Sequence, residues 1–206
     1  IRDQVGWDKV RLNAAARTVR FTTRNPMELD PGSIGKGFAV DSVAALLRED
    51  GVRAAFISAG GSTLYGLGTP PNELGWPVEV PDPRTPGSVA TTLWLRDTSL
   101  STGACTEKFF MQNGHRYCHI FDPRTLMPVE GVLQSSVIAP SATDSDALST
   151  VVFVLSPAQS REVLHGLEGT AAILFLSAHG LPSCVVIGAS KSICDAHVPP
   201  TNKGVH

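Results

Sequence analysis

Short runs of alternating apolar residues, each broken by Pro or Gly, fill most of this chain, and only three stretches carry helical spacing. That punctuation is the tightest constraint on the fold. "TVRFTTR" sets Val19, Phe21 and Thr23 on one face of a strand. "RAAFISAGG" reads as a buried strand ending in a Gly pair, and "WPVEVPDP", "VATTLWLRD", "RYCHIFDP" and "LQSSVIAP" as further short strands. "TAAILFLS" and "PSCVVIG" close the series. Helical spacing runs over residues 37–50, where Gly51 is a natural stop, through "SATDSDALSTVVFVL" after Pro140, and through "PAQSREVLHGLEG". Many strands interleaved with so few helices predict an α+β domain rather than a regularly alternating parallel fold.

With 206 residues and 42% hydrophobic content, the chain can bury a full core. One domain is expected over residues 1–188, followed by an irregular tail over 189–206 that lacks periodicity. A net charge of -2 provides no electrostatic case for nucleic acid or an anionic membrane as partner. No apolar run approaches the ~20 residues of a membrane-spanning helix, so no transmembrane segment is expected. Cys105, Cys118, Cys184 and Cys194 show no CxxC or zinc spacing and are expected as buried thiols. One disulfide is compatible with a domain of this size but not required by it.

The stretch "DPGSIGKGFAVD", Asp30 to Asp41, has the look of a phosphate loop but fits neither common fingerprint. A P-loop would need Gly at position 30 and Ser or Thr at position 37, where Asp30 and Gly37 stand. The dinucleotide pattern fails because the glycines fall at 32, 35 and 37. A helix N-terminus still offers free amides to an anion, and Lys36 adds a full charge. A Gly-rich turn beside a solvated lysine is the plainer alternative.

Asp146 and Thr150, four apart on a helix, share a face and suit a hard cation such as Mg²⁺. Acids in a first helical turn are also favoured by the helix dipole alone. His119 and Asp122 end a strand before an Asp-Pro turn; a His held by an Asp can serve as an acid-base group, or the two can be a core-edge His and a turn residue. "SLSTGA" and "SAGGS" bring hydroxyls and glycines where backbone can approach a ligand. A Ser-His-Asp hydrolase lacks the G-x-S-x-G elbow it would need.

In their order along the chain these segments resemble the ApbE family of FAD:protein FMN transferases. The blocks "DPGSIGKGFAVD", "ISAGGS", "SLSTGA", "YCHIFDPRT" and "SVIAPSATDSDALSTVVFV" look like that family's D-L-G-G-I-A-K-G-Y-A-V-D, N-x-G-G-D, T-S-G, H-I-I-D-P-R-T-G and A-D-A-L-S-T. The resemblance implies a T-fold-like α+β domain, with mixed and antiparallel sheets and packed helices. It implies Mg²⁺-dependent cleavage of FAD, transfer of FMN through a phosphoester to a Thr or Ser of an acceptor protein, and release of AMP. By position, Asp30, Lys36, Gly60, Gly61, Thr102, His119 and Ile120 would contact the flavin nucleotide. Ser33 (through its carbonyl), Asp146 and Thr150 would hold the metal, and His119 or Asp122 would take the acceptor's proton. Placement in the periplasm or at a membrane anchor follows from the resemblance, with the cytoplasm as the alternative.

Departures are local. Ser33 replaces a Gly, Gly35 an Ala, Ser62 an acid and Leu126 a Gly. Only residues 1–29 precede Asp30, where the family carries a larger region that completes the flavin site. A chain short in this way could instead be a non-catalytic FAD-binding module, or a hydrolase giving FMN and AMP.

Overall fold

The computed structural model describes residues 5–105, 109–113, 115–178 and 181–188. The 189–206 tail expected from the sequence lies outside the described residues. The chain divides into two units, Ile1–Pro31 and Gly32–His206. In the first, β1 (Val10–Asn13) and β2 (Thr18–Phe21) form an antiparallel hairpin, so the strand read from "TVRFTTR" ends before Thr23.

The second unit runs α1 (Gly35–Glu49), β3 (Ala55–Ala59), β4 (Thr63–Leu67), β5 (Trp76–Pro81), β6 (Val89–Leu95) and β7 (Thr98–Ala104). It continues with β8 (Phe109–Gln112), β9 (His115–Cys118), β10 (Phe121–Asp122), β11 (Met127–Pro128), β12 (Val132–Ala139), α2 (Ala142–Val154), α3 (Pro157–Leu164), β13 (Ala171–Ala178) and β14 (Leu181–Ile187). Among the described residues six strands form one sheet in the order β14-β13-β12-β7-β4-β3, every pair antiparallel. The expectation of an α+β domain is met.

The period of two along each strand sends neighbouring residues to opposite faces of the sheet. One face carries Val137, Ala172, Leu174 and Ile187, which pack with Val152 of α2 and Leu164 of α3. Next to them Tyr65 and Leu67 pack with Val40 and Ala44 of α1 and Ala142 of α2. The other face carries Leu100, Ile173 and Phe175 against Val78, Val80, Ala90 and Leu95 of the β5–β6 ribbon. The sheet is thus the middle of three layers. Strand β3, read from the sequence as buried, is an edge strand whose Phe56 is exposed. Its apolar run is explained by one face alone, where Ala55, Ile57 and Ala59 meet the α1 cluster.

Two helix starts follow local sequence rules. Ser141 caps α2 by accepting from the Asp144 amide, and Ser156 with Gln159 forms a capping box ahead of Pro157 at the start of α3. Helix α1 has no such local cap, because Ile34 stands at its N-cap position. Its partner comes from elsewhere.

The cysteines depart from expectation. Cys105 and Cys118 are joined in a disulfide that closes over the β8–β9 hairpin, and Cys184 is also disulfide-bonded. Cys194 lies outside the described residues. Spacing alone does not reveal the pair: β8 and β9 fold back on each other and return residue 118 to residue 105.

Candidate active site

Helices α1 and α2 cap each other. The Gly37 amide, one of the orphan donors of α1, gives its hydrogen bond at 2.9 Å to Oδ2 of Asp146 on α2. In return Asp41 of α1 accepts from the Ala142 and Thr143 amides at 2.8 Å each, from Thr143 Oγ1 at 2.6 Å and from Ser141 Oγ at 3.2 Å. Each carboxylate sits at the positive end of the other helix, where negative charge is favoured. Partial burial pushes the Asp41 carboxyl up, but the Thr143, Ala142 and Ser141 donors outweigh it and hold it below the usual range. Gly37 and Asp41 are one turn apart on α1, so both face α2. The contact is closest at Gly37, where an added Cβ would overlap the Ala142 carbonyl oxygen and lie 2.7 Å from Thr143 Cα.

Asp146 is the hub of the arrangement. It is 4% exposed, and a carboxylate buried that deeply requires partners. Oδ1 lies 3.4 Å from Lys36 Nζ and 3.2 Å from both Thr63 Oγ1 and Ser101 Oγ, which are 2.9 Å apart. Thr63 of β4 and Ser101 of β7 are paired across the sheet, and the pleat turns both toward α2. Further hydroxyls join helix to sheet. Ser145 donates to Ser99, which donates to the Leu64 carbonyl, and Ser135 donates to the Ser149 carbonyl. Small hydroxylated residues let α2 approach the sheet closely and satisfy one another where water is excluded.

The residues expected at the site are therefore distributed unevenly. Lys36 and Asp146 are brought together, and Thr150 follows Asp146 by one helical turn. Ser33 lies exposed in the turn leading into α1. Gly60 and Gly61 make the β3–β4 turn with φ of +61° and +72°, a backbone that L side chains resist, and nothing stands within 4 Å of where a Cβ would be. This turn leads directly to Ser62 and Thr63. Thr102 points to the opposite face from Ser101 and bonds Ser136 Oγ at 2.9 Å. Asp30 is exposed and belongs to the first unit.

His119 and Asp122 belong to the other end of α2. Arg124 grips Asp122 through its amide, Nε and Nη2 at 2.7–3.1 Å, and holds that carboxyl below its usual range. Arg124 Nη2 also donates to the Val154 carbonyl in the last turn of α2. Eight residues of helix separate that carbonyl from Asp146, about 12 Å along the axis. His119 is exposed, and its ring lies beside the Cys105–Cys118 sulfurs, with the three potential ligand atoms within 4.8 Å of one another. Both sulfurs are committed to the disulfide. Ile120 is half-buried against Cys105, Cys118 and Phe153.

Sequence reasoning missed Asp41, Thr63 and Ser101. Asp41 stands four residues after Gly37 in the same glycine-rich motif, a spacing that marks a shared helix face. Thr63 and Ser101 carried the weaker signal of hydroxyls in strand alternation, and only pairing of β4 with β7 joins them.

A family model described as the ApbE family matches residues 1–175. An FAD:protein FMN transferase of Treponema pallidum (strain Nichols) is 36% identical over 157 residues, covering 71% of this chain and 43% of that protein. The crystal structure of the Pseudomonas stutzeri flavinyl transferase ApbE in its apo form superposes with a TM-score of 0.77 at 24% identity, covering 96% of this chain and 60% of that one. The Thermotoga maritima ApbE protein superposes with a TM-score of 0.76 at 28% identity, covering 88% and 58%. The chain spans less than half the length of the Treponema relative. With most of its length matched by the family model and its fold shared with ApbE structures, this chain belongs to the ApbE family.

Proposed function

We propose that residues 1–188 form an ApbE-like domain carrying the FAD-cleaving centre of an FAD:protein FMN transferase, which moves FMN onto a Thr or Ser hydroxyl of an acceptor protein. The observation that carries this reading is Asp146, a buried carboxylate joined to Lys36 and anchored by the Gly37 amide at the N-terminus of α1. Such a centre suits a pyrophosphate and the cation that accompanies it. The donor set fits Mg²⁺, which prefers oxygen ligands and keeps several waters. Asp146, Thr150 and the carbonyl of Ser33 would hold it, and beside Oδ1, along with Lys36, stand the hydroxyls of Thr63 and Ser101. One cation, the Lys36 ammonium, already rests against Oδ1. Bound Mg²⁺ would supply charge to screen the pyrophosphate oxygens.

The chain's own groups do the rest. Lys36, with its side chain 40% exposed, can reach a phosphate oxygen while its stem stays packed, adding charge where the leaving group develops it. The backbone of the Gly60–Gly61 turn stands clear of side chains and admits close approach of the nucleotide. The acceptor hydroxyl attacks the FMN phosphorus, the bond to the bridging oxygen breaks, and AMP departs with that oxygen. His119 or Asp122 would receive the hydroxyl proton, Asp122 being held through both oxygens by Arg124. Asp122 also acts through Arg124 to fix the His119 segment onto the end of α2.

Incubation with FAD, Mg²⁺ and an acceptor peptide carrying a target Thr, followed by mass spectrometry, tests this reading. Acceptor mass gain equal to an FMN phosphoester is expected, and Asp146→Ala is expected to abolish it. Free FMN without acceptor gain would make the protein a hydrolase, and bound, intact FAD would make it a binding module. Unchanged transfer in Asp146→Ala would remove the metal assignment.

A further inference from the structure

Thr63 and Ser101 are both fully buried, so their hydroxyl protons must be satisfied within the protein. Each hydroxyl owns one proton and two acceptor positions. Asp146 Oδ1 lies 3.2 Å from both oxygens, the oxygens lie 2.9 Å from each other, and Ser101 Oγ also lies 3.2 Å from the Ser62 carbonyl. Several proton arrangements satisfy both groups, and two of them are the extremes for Oδ1. In one, the hydroxyls point at Asp146. In the other, Thr63 donates to Ser101, Ser101 donates to the Ser62 carbonyl, and Oδ1 receives neither. Passage from one to the other needs only rotation about two C–O bonds. Throughout, Oδ2 stays fixed by the Gly37 amide.

We propose that Thr63 and Ser101 are positioning residues forming a rotatable hydroxyl relay, which releases Oδ1 of Asp146 to a divalent cation without leaving any buried hydroxyl unpaired. The proposal rests on the metal-binding reading of Asp146 given above. It makes the two hydroxyls unequal, although they touch the same oxygen. Without the Ser101 hydroxyl, Asp146 is the one remaining described acceptor for the Thr63 proton, and Thr63 competes with the cation. Without the Thr63 hydroxyl, Ser101 still turns to the Ser62 carbonyl, and a competitor for Oδ1 is gone.

The test is Mn²⁺ binding to the full chain without FAD, followed by electron paramagnetic resonance, since Mn²⁺ shares the oxygen preference of Mg²⁺. Ser101→Ala is expected to weaken binding about tenfold, the scale of one buried hydrogen bond. Thr63→Val is expected to tighten it by about threefold, a fraction of the same interaction. The double variant should return to the Thr63→Val value, and Ser101→Cys, a weaker donor of similar size, should fall between wild type and Ser101→Ala. A merely structural role would weaken binding in both single variants and more so in the double. That pattern overturns the relay, as does an unchanged Ser101→Cys with an unfolded Ser101→Ala. Asp146→Asn separates the two levels. If it binds Mn²⁺ like wild type, the metal reading and the relay both fall; if it loses binding while the other variants behave alike, only the relay falls.

Discussion

Gly37→Ala is the sharpest probe of the α1–α2 contact, because without that contact its effect would have the opposite sign. Gly37 lies within helix α1, where replacement of Gly by Ala stabilises an otherwise open helix by about 1 kcal/mol. Here the new methyl would overlap the Ala142 carbonyl oxygen and stand 2.7 Å from the Ala142 carbonyl carbon and Thr143 Cα, backbone atoms that no rotamer change can move. Relief requires the helices to part, at a cost near the upper end of the range for overpacking, about 3 kcal/mol. Parting them also weakens the Gly37–Asp146 cap, whose loss costs about 1 kcal/mol by analogy with other helix caps. After the propensity gain, about 3 kcal/mol of destabilisation remains. For a chain of this size that lowers Tm by about 6–12 °C. Differential scanning calorimetry measures this directly, and the Mn²⁺ titration reports whether the Asp146 site loosens with it. A Tm equal to or above wild type would refute the close backbone contact and, with it, the mutual capping of the two helices.

Other outcomes follow from the same geometry. Lys36→Met should reduce FMN transfer by roughly 10- to 100-fold, the value of one hydrogen bond to a charged group, while leaving the fold intact by circular dichroism; undiminished transfer would place Lys36 outside the chemistry. Asp41 has a folded pKa below its ordinary value of 3.8, so its contribution to stability is complete above that value and is lost as pH falls through the folded one. Urea unfolding across the acid range should therefore show a shallower loss of stability in Asp41→Asn than in wild type, and parallel curves would contradict the role given to the carboxylate. Replacing Cys105 and Cys118 together by Ser opens a loop with a sequence separation of 13, worth about 3 kcal/mol by chain entropy. Wild type treated with a thiol reductant should fall at least as far, since the reductant also opens the disulfide of Cys184. A double variant as stable as the oxidised protein would mean that the pair does not constrain the chain.

Local physics made much of the fold readable. The helices of residues 37–50 and after Pro140 carry apolar spacing, a Gly stop and a Ser cap close to where α1 and α2 begin and end. Strands such as β5, β6, β12 and β13 follow alternation or continuous apolar runs. Strand β4, "TLYGL", escaped because it is short and follows directly on the Gly pair. Strand β7 escaped because its Ser-Thr-Gly composition resembles a ligand loop, although it is central to the sheet. Its hydroxyls are buried only because α2 lies across them, and no local pattern announces that.

By itself, then, the sequence determined most of the element types, the order of five motifs that mark the family, and the presence of Lys36 and Asp146 in two of them. Each of these depends on near neighbours in the chain, on periodicity, capping and turn chemistry. Tertiary structure decided which groups meet: Asp146 with Gly37 across 109 residues, Asp41 with Thr143 across 102, and Thr63 with Ser101 across 38. It also turned Ser101 toward Asp146 and Thr102 away, a choice set by the pleat of β7 once the faces of the sheet were assigned. Contacts of that range arise from strand pairing and helix packing, which are properties of the whole core rather than of any segment.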